Sequence, residues 1–436
     1  MTTNYTVRDI DAVAIQDLQR TYNINHLMAA TLAARGILTG DSASVFLNPS
    51  LERDWGDPAG LPGLTDVADA LEAAIRAHKR ILIFGDYDVD GLTATATLAR
   101  ALRALGNVPD TVIPRRDDGG YGITPPVLQR IYACDPNVVI TVDNGVSAAA
   151  EVAKMQQRGI EVLITDHHEP GSEVPVGVPV ADPKLDAECN DSMLAGVGVA
   201  LKLVQALGAR FDQPGLWRDY TDLATLGTVA DSMLLAGENR ALVADGIGHI
   251  IESKHAGIAA LVALACKNRT GNLTSTDLSF TVIPRLNAAG RMDNADIALE
   301  LLMTDDPVRA QDLAERIEDI NKERRGTEAQ LSEEVMRGAE RYPASDKALV
   351  LAGEGWHDGV RGIVASRVVG QYHVPALVFT IDGDEARASG RSVGDVNLYD
   401  MVDKCADLFS RYGGHAGAVG ITMPTANLDE LRRRMV

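Results

Sequence analysis

Ile81–Ala94 reads ILIFGDYDVDGLTA. Four apolar residues run into Gly85 and then into three aspartates at alternate positions, Asp86, Asp88 and Asp90. Gly91 follows, and after it a helix-favouring run. An apolar run of this length, ended by glycine and turn residues, reads as a buried strand of a parallel sheet. The loop leaving such a strand lies at the carboxyl edge of the sheet, where open α/β folds place their ligands. Three carboxylates there repel one another and lose solvation. Positive charge relieves both penalties, and divalent metal supplies it most compactly.

The pattern continues outward from this stretch. Further strands are predicted at Thr111–Ile113, Val138–Val142, Val162–Thr165 and Val178–Ala181. Helices are predicted between them at Leu92–Leu105, Pro126–Ala133 and Ser147–Arg158. Alternation of this kind means a parallel sheet with helices on both faces. Before it, residues 1–70 read as a helical extension, and residues 194–265 read as mostly helical. Ala310–Arg341 is a charged helix-former suited to joining two domains. From Ala348 a second α/β pattern begins, with strands at Ala348–Leu351, Ala376–Thr380 and Glu385–Ser389. The expected division is therefore 1–70, 71–309, 310–342 and 343–436.

Two more strand ends repeat the opening theme. Val138–Val142 runs into Asp143-Asn144-Gly145, and Val162–Thr165 runs into Asp166-His167-His168. Parallel strands present their carboxyl ends on one edge, so these residues should converge with Asp88 and Asp90. Asp231, in LATLGTVAD, closes another apolar run. A pool of carboxylates and imidazoles without thiols favours Mn²⁺ or Mg²⁺, with Fe²⁺ or Zn²⁺ as further candidates. Two such ions about 3.5–4 Å apart suit in-line attack on a phosphoryl group. Taken singly, a DxD is usually a turn or cap, and Asp-Asn-Gly is a turn signal. It is their recurrence at successive strand ends that points to a metal site.

Composition bounds the function. The 436 residues carry 41 basic and 61 acidic side chains, a net charge of −20, which argues against a bulk cationic surface for nucleic acid. Phosphate binding must then come from a local groove or from metal. The four cysteines, 134, 189, 266 and 405, form no CxxC pair, so a zinc site is not expected and a reducing compartment is. No apolar run approaches the roughly 20 residues of a membrane span. The first residues, MTTNYTVRDIDAV, lack a signal peptide's basic and apolar regions. A cytoplasmic protein without membrane partners is expected.

The ordered set DYDVDG (86–91), DNG (143–145), DHH (166–168) and GTVAD (227–231) resembles the DHH phosphoesterase superfamily. IPRLNAAGRM (283–292), GWHDGVRGIVASR (355–367), ASGRS (388–392) and GGHAGAVG (413–420) narrow the resemblance to the RecJ family of single-strand-specific exonucleases. It extends to RGIL (35–38) and FLNPSL (46–51), and so covers nearly the whole chain.

The resemblance implies an α/β fold: a parallel-sheet DHH domain and a smaller α/β DHHA1 domain, joined by a long helix with a cleft between them. It implies two Mn²⁺ or Mg²⁺ ions held by Asp88, Asp90, Asp143, His167 and Asp231, with Asp143 bridging. Asp86 would tune the site from beside it, Asp166 would orient a histidine, and His168 would face the scissile phosphate. Ser389 and Arg391 match positions that hold a 5′ phosphate, with Arg116 as their first-domain partner. Gly413, Gly414 and His415 form the second domain's signature. Arg285 and His357 fall in matched motifs as substrate contacts. Some relatives carry a histidine four residues before the motif's second acid, where this chain has Phe84.

The activity implied is metal-dependent 5′→3′ hydrolysis of single-stranded DNA to 5′-mononucleotides in DNA repair, recombination or replication. Single-stranded DNA is the implied partner, with a single-strand-binding protein or a helicase as candidate protein partners. Family members usually continue past the GGH motif into an oligonucleotide-binding barrel. Too few residues follow Gly420 here, so a weaker hold on long strands is expected. Two rival readings stand beside this one. A nanoRNase or cyclic-dinucleotide phosphodiesterase of the same superfamily fits the acidic charge, and a non-catalytic replication scaffold fits a chain that loses its metal acids.

Overall fold

This computed structural model describes residues 10–38, 41–115, 122–171, 173–189, 193–252, 254–267, 270–292, 294–343 and 346–435. The chain divides into two compact units, one of residues 1–287 and 295–315, the other of 288–294 and 316–436.

The first unit is built on five parallel strands: β1 (Ile81–Phe84), β2 (Asp110–Val112), β3 (Val138–Val142), β4 (Glu161–Thr165) and β5 (Val180–Ala181), in the order β2-β1-β3-β4-β5. All of β1 and β3 is buried, which explains why they read as continuous apolar runs without alternation. The order reverses between β1 and β3. Such a switch point opens a crevice at the carboxyl ends of the strands, and there β1 runs into Asp86 and β3 into Asp143.

One face of the sheet is closed by an apolar cluster that includes Leu82, Phe84, Val127, Ile131, Val139, Val152 and Ile164, drawing on the Pro125–Ala133 and Ala149–Gln157 helices. Within this unit the N-terminal helices have their own small core of Ile15, Leu18, Ala29, Leu32 and Ala43. They are tied on by Arg240 Nε to Phe46 O (2.6 Å) and Trp55 Nε1 to Gln205 Oε1 (2.7 Å). Lys202, fully buried, donates to Gly56 O and Glu238 Oε1, both at 2.9 Å, and lies over the Trp55 ring.

The second unit holds β6 (Leu349–Glu354), β7 (Ala376–Asp382), β8 (Glu385–Arg391), β9 (Arg411–His415) and β10 (Ala418–Pro424), in the order β6-β7-β8-β10-β9. The first pair is parallel, connected by the Asp358–Tyr372 helix, and the rest is antiparallel. Two more strands are present than the sequence suggests. Glycines at 413, 414, 417 and 420 make the β9–β10 hairpin read as loop, yet Ile421 and Met423 alternate inward into a core shared with Leu377, Phe379 and Leu431. The long helix runs unbroken over Pro307–Ala339, through an exposed Gly326.

Position 84, where some relatives carry histidine, is fully buried in the apolar cluster rather than placed among the acids. An imidazole there lacks a polar partner and costs roughly 2–4 kcal/mol. Phe84→His should therefore lower stability by about that amount without tightening Mn²⁺ binding, as read by denaturant unfolding and metal titration.

Candidate metal centre and anion-binding face

The acids of the first unit are placed by backbone amides. Asp88 caps the Val89–Ala104 helix, its Oδ1 accepting from Gly91 N at 3.1 Å. Asp86 Oδ1 accepts from Tyr87 N at 2.7 Å. Asp90, in the first turn of the helix, is buried and aimed at the start of the Gly196–Arg210 helix. There its Oδ2 accepts from Gly196 N (2.7 Å) and its Oδ1 from Val197 N (2.9 Å). The amides of a helix N-terminus are a natural seat for a carboxylate. Such close approach needs glycine at several points. A Cβ on Gly196 would stand 2.6 Å from Asp143 Oδ1, and one on Gly227 would stand 2.7 Å from Asp90 Oδ1.

Asp143 has a left-handed backbone, φ 57°, and its Oδ1 is buried without a hydrogen-bond donor. His167 Nε2 stands 3.1 Å from that oxygen, 3.7 Å from Asp90 Oδ2 and 3.8 Å from Asp231 Oδ2. Nε2 is thus the ring nitrogen of His167 that faces the carboxylates. Asp231 closes the Thr221–Ala230 helix, a position where the helix dipole disfavours negative charge.

Three overlapping sets each bring single ligand atoms within 4.8 Å of one another: Asp86, Asp88 and Asp143; Asp90, His167 and Asp231; Asp143, His167 and His168. Asp143 and His167 each belong to two. Asp86 thus stands among the candidate ligand atoms themselves, closer in than the sequence suggests. Hard oxygens, one lone-pair imidazole and an orphaned buried oxygen on Asp143 fit divalent cations.

Burial, then the charges of Asp231 and Asp88, push the Asp90 carboxyl well above its usual range. Burial, then Asp90 and Asp88, do the same to Asp143. Asp231 is pushed up to about 6 by burial and then by Asp88. His167 is pushed down to about 4 by burial and then by its neighbour His168.

Asp166 behaves differently. Burial works against its charge, but the His168 contact and backbone N–H groups hold its carboxyl below the ordinary value. Its Oδ2 accepts from Val146 N (2.9 Å), and its Oδ1 from His167 N (2.8 Å) and His168 N (3.2 Å). His168 Nδ1 lies 2.7 Å from the same Oδ1. Burial opposes the charge on His168, but Asp166, then Asp86 and Asp231, outweigh it and raise the ring to about 9. The imidazole is held protonated, with half of its side chain open to solvent.

A fourth acid-bearing strand end was missed by sequence reasoning. β5 runs into Asp182, which is fully buried. The ladder pairs Thr165 with Ala181, and Asp166 N donates to Ala181 O at 3.0 Å, so Asp182 sits beside Asp166. Its Oδ1 accepts from Lys184 N at 2.8 Å, while its Oδ2 is buried without a partner. Burial raises this carboxyl to about 7. The signal was legible, since Val178–Ala181 ends in Asp-Pro as the other strands end in Asp.

In the second unit, register places the predicted residues in rows. Arg391, Ala418 and His415 pair across β8, β10 and β9, and Ser389, Gly420 and Gly413 form the next row. Inward neighbours Ala388, Gly390, Val419 and Ile421 are buried, so these rows lie on the opposite face. Arg391 is partly buried with Nη1 donating to Gly390 O (2.8 Å), and no carboxylate pairs with it among the described residues. Burial alone lowers its pKa. Gly362 of the Asp358–Tyr372 helix packs on this guanidinium, where a Cβ would meet Nη2 at 2.8 Å. Gly414, at φ 141°, has no room for a Cβ, which would lie 2.2 Å from Ala418 O.

His415 Nδ1 accepts from Gly417 N (3.2 Å), and His357 caps the 358–372 helix by accepting from Gly359 N (3.0 Å). Arg285 lies on the Ile283–Met292 helix, in the part of it that belongs to the first unit, with Nη1 donating to Thr281 O at 2.5 Å. Arg116 lies outside the described residues. Its neighbour Arg115 pairs with Asp296 at 3.7 Å.

Comparison with known proteins agrees with this architecture. Residues 80–228 match the DHH family, N-terminal domain, and residues 345–435 match the DHHA1 domain. The single-stranded-DNA-specific exonuclease RecJ of Bacillus subtilis is 35% identical over 98% of this chain and 54% of its own length. RecJ of Dickeya dadantii is 37% identical over 86% of this chain and 69% of its own. The chain belongs to the RecJ family. The crystal structure of Thermus thermophilus RecJ in complex with Mn²⁺ superposes with a TM-score of 0.85 at 32% identity, covering 98% of this chain and 60% of that one. The chain thus spans little more than half the length of the Bacillus and Thermus RecJ proteins.

Two expectations follow from the buried charges. In EDTA, the raised carboxyls and the raised His168 contribute stability that is full at low pH and lost as pH rises. His167, whose pKa is depressed, works the other way, but only between its two values of about 4 and 6.5. Between pH 6.5 and 9 the losses are therefore unopposed. Metal-free protein should lose thermal stability across that window, and Mn²⁺ should restore it more at pH 8 than at pH 6.5, as measured by scanning calorimetry. Asp182→Asn removes one such titration, so it should stabilise the metal-free protein at pH 8 by about 1–3 kcal/mol, by less than half of that at pH 5, and hardly at all below pH 3.8.

Proposed function

We propose that the chain is a metal-dependent 5′→3′ exonuclease that hydrolyses single-stranded DNA to 5′-mononucleotides. The observation that carries the proposal is Asp143, which keeps a buried, donorless oxygen and belongs to two ligand sets at the switch point of the sheet. It is supported by family membership and by the manganese complex of the T. thermophilus protein. Asp88, Asp90, Asp143, His167 and Asp231, with Asp86 beside them, would hold two Mn²⁺ or Mg²⁺ ions. Such ions supply positive charge to the phosphoryl oxygens and lower the pKa of an attacking water.

The remaining work falls to the chain's own groups. Asp166 holds the proton on His168 Nδ1 and fixes the ring, so that Nε2–H would meet the scissile phosphate. With its pKa at about 9, His168 is charged at neutral pH. It stabilises the developing negative charge and can pass the Nε2 proton to the 3′ oxygen as the P–O3′ bond breaks. Arg391, lacking a carboxylate, would take the 5′ phosphate bidentately together with Ser389, His415 and the amides of Gly413 and Gly414. Arg116, Arg285 and His357 are proposed as further substrate contacts. A single-strand-binding protein or helicase as partner, and a cytoplasmic location, belong to the same proposal. No single helix among the described residues is long and apolar enough to cross a membrane.

The deciding experiment is a Mn²⁺ digest of end-labelled single-stranded DNA, duplex DNA, short RNA and a cyclic dinucleotide side by side. Mononucleotides released from the 5′ end of single strands are expected. Activity confined to dinucleotides would replace the proposal with the phosphodiesterase reading, and no hydrolysis with all ligands intact would favour a scaffold. Asp143→Ala should abolish Mn²⁺-dependent hydrolysis, and near-normal turnover would rule out the two-metal centre. Arg391→Ala should raise KM for 5′-phosphorylated strands roughly ten- to a hundredfold while sparing 5′-hydroxyl strands.

A further inference from the structure

Phe280 is an exception in the composition of this surface. The chain has 6 phenylalanines and 3 tryptophans, and among them Phe280 alone is exposed, at 79%. It lies in a helical run that starts at Ser275 and continues to Met292, and its turn is abnormal. Over Leu278–Val282 the run widens to a π-helical turn, with Ile283 N donating to Leu278 O. Pro284 gives a physical reason, because it has no N–H to offer the turn before it and its ring crowds that turn's carbonyl. Leu278 and Val282 are buried on the inner side and fix which way the turn faces.

The wide turn has a directional effect. In a regular helix, residues five apart point about 140° away from each other. Here the i→i+5 bond from Ile283 to Leu278 widens the turn to about 4.4 residues per revolution, so Phe280 and Arg285 come to within roughly 90°. Arg285 is held on this side by its bond to Thr281 O, a carbonyl within the same wide turn. An exposed aromatic ring and a guanidinium are thus brought towards one face of one element. Single-strand binders combine the same two groups, with a ring for the base and a cation for the phosphate.

We propose that Phe280 is a stacking platform for one nucleobase of the single strand, brought onto the side of Arg285 by the π-helical turn. This rests on the reading of the chain as a single-strand exonuclease and adds a residue that grips the base rather than the backbone. Stacking on a π-face is indifferent to base identity, as an enzyme that consumes any sequence requires.

The test uses the full chain, Mn²⁺ and 5′-phosphorylated single strands carrying one abasic site at each of the first several positions in turn. Wild-type protein should show one position at which removing the base raises KM roughly five- to a hundredfold. Phe280→Ala should show that raised KM on the intact strand and no further loss when the base at that position is absent. Phe280→Trp should restore the preference for the base. If Phe280→Ala loses equally on intact and abasic strands, or loses nothing, the stacking role is overturned, and the ring serves the fold or another protein surface. If wild-type protein degrades no single strand, the exonuclease reading falls and this inference with it.

Discussion

The constraint on which the first unit depends is the mutual repulsion of carboxylates that the fold has taken out of water. Asp90 and Asp143 are both buried at the edge of a parallel sheet, and burial and neighbouring carboxylates push both well up, Asp231 and Asp88 acting on Asp90, and Asp90 and Asp88 on Asp143. Left alone, such a pair neutralises or drives the edge apart. The fold answers only in part. Two amides at the start of the Gly196–Arg210 helix take up Asp90, whereas Asp143 keeps an oxygen with no donor. That residual imbalance is the electrostatic demand a pair of cations would meet.

The glycines near this edge follow from the same constraint. Gly91 has no room for a Cβ beside the backbone of Asp86, Gly196 none beside Asp143, and Gly227 none beside Asp90 and Thr93. Three separate helices therefore meet the acids with bare backbone. Close approach lets helix amides stand where side chains would otherwise separate the charges. Tight packing also fixes the carboxylates against one another, so the scaffold itself pre-organises the centre.

Much of this was legible in the sequence, because strand ends carry a local signature: an apolar run broken by an acid. Asp86, Asp143 and Asp166 were found that way, whereas the apolar run before Asp231 folds as the Thr221–Ala230 helix. Asp182 shows the same signature at the end of the strand predicted at Val178–Ala181, and it was legible there although the observed strand is only two residues long. Gly196 could not be found so, because its role is defined by Asp90, 106 positions away. The β9–β10 hairpin was hidden for a different reason. Glycine lowers strand propensity, and it is the alternation of Val419, Ile421 and Met423 into the core that decides the conformation.

Charge, read as composition, pointed away from nucleic acid, yet composition counts paired and unpaired groups alike. Most arginines here are neutralised locally: Arg309 by Glu300 and Asp312, Arg324 and Arg367 by Glu328, Arg433 by Glu430, and Arg434 by Asp407 and Glu430. Arg391 is different, being partly buried and left without a carboxylate. The same distinction separates Asp143 from the many surface acids. In each unit the functional candidate is the charge that is withdrawn from solvent and not compensated by the protein. A net charge of −20 sums every charged side chain alike, and it carries no information about the few that the protein leaves uncompensated.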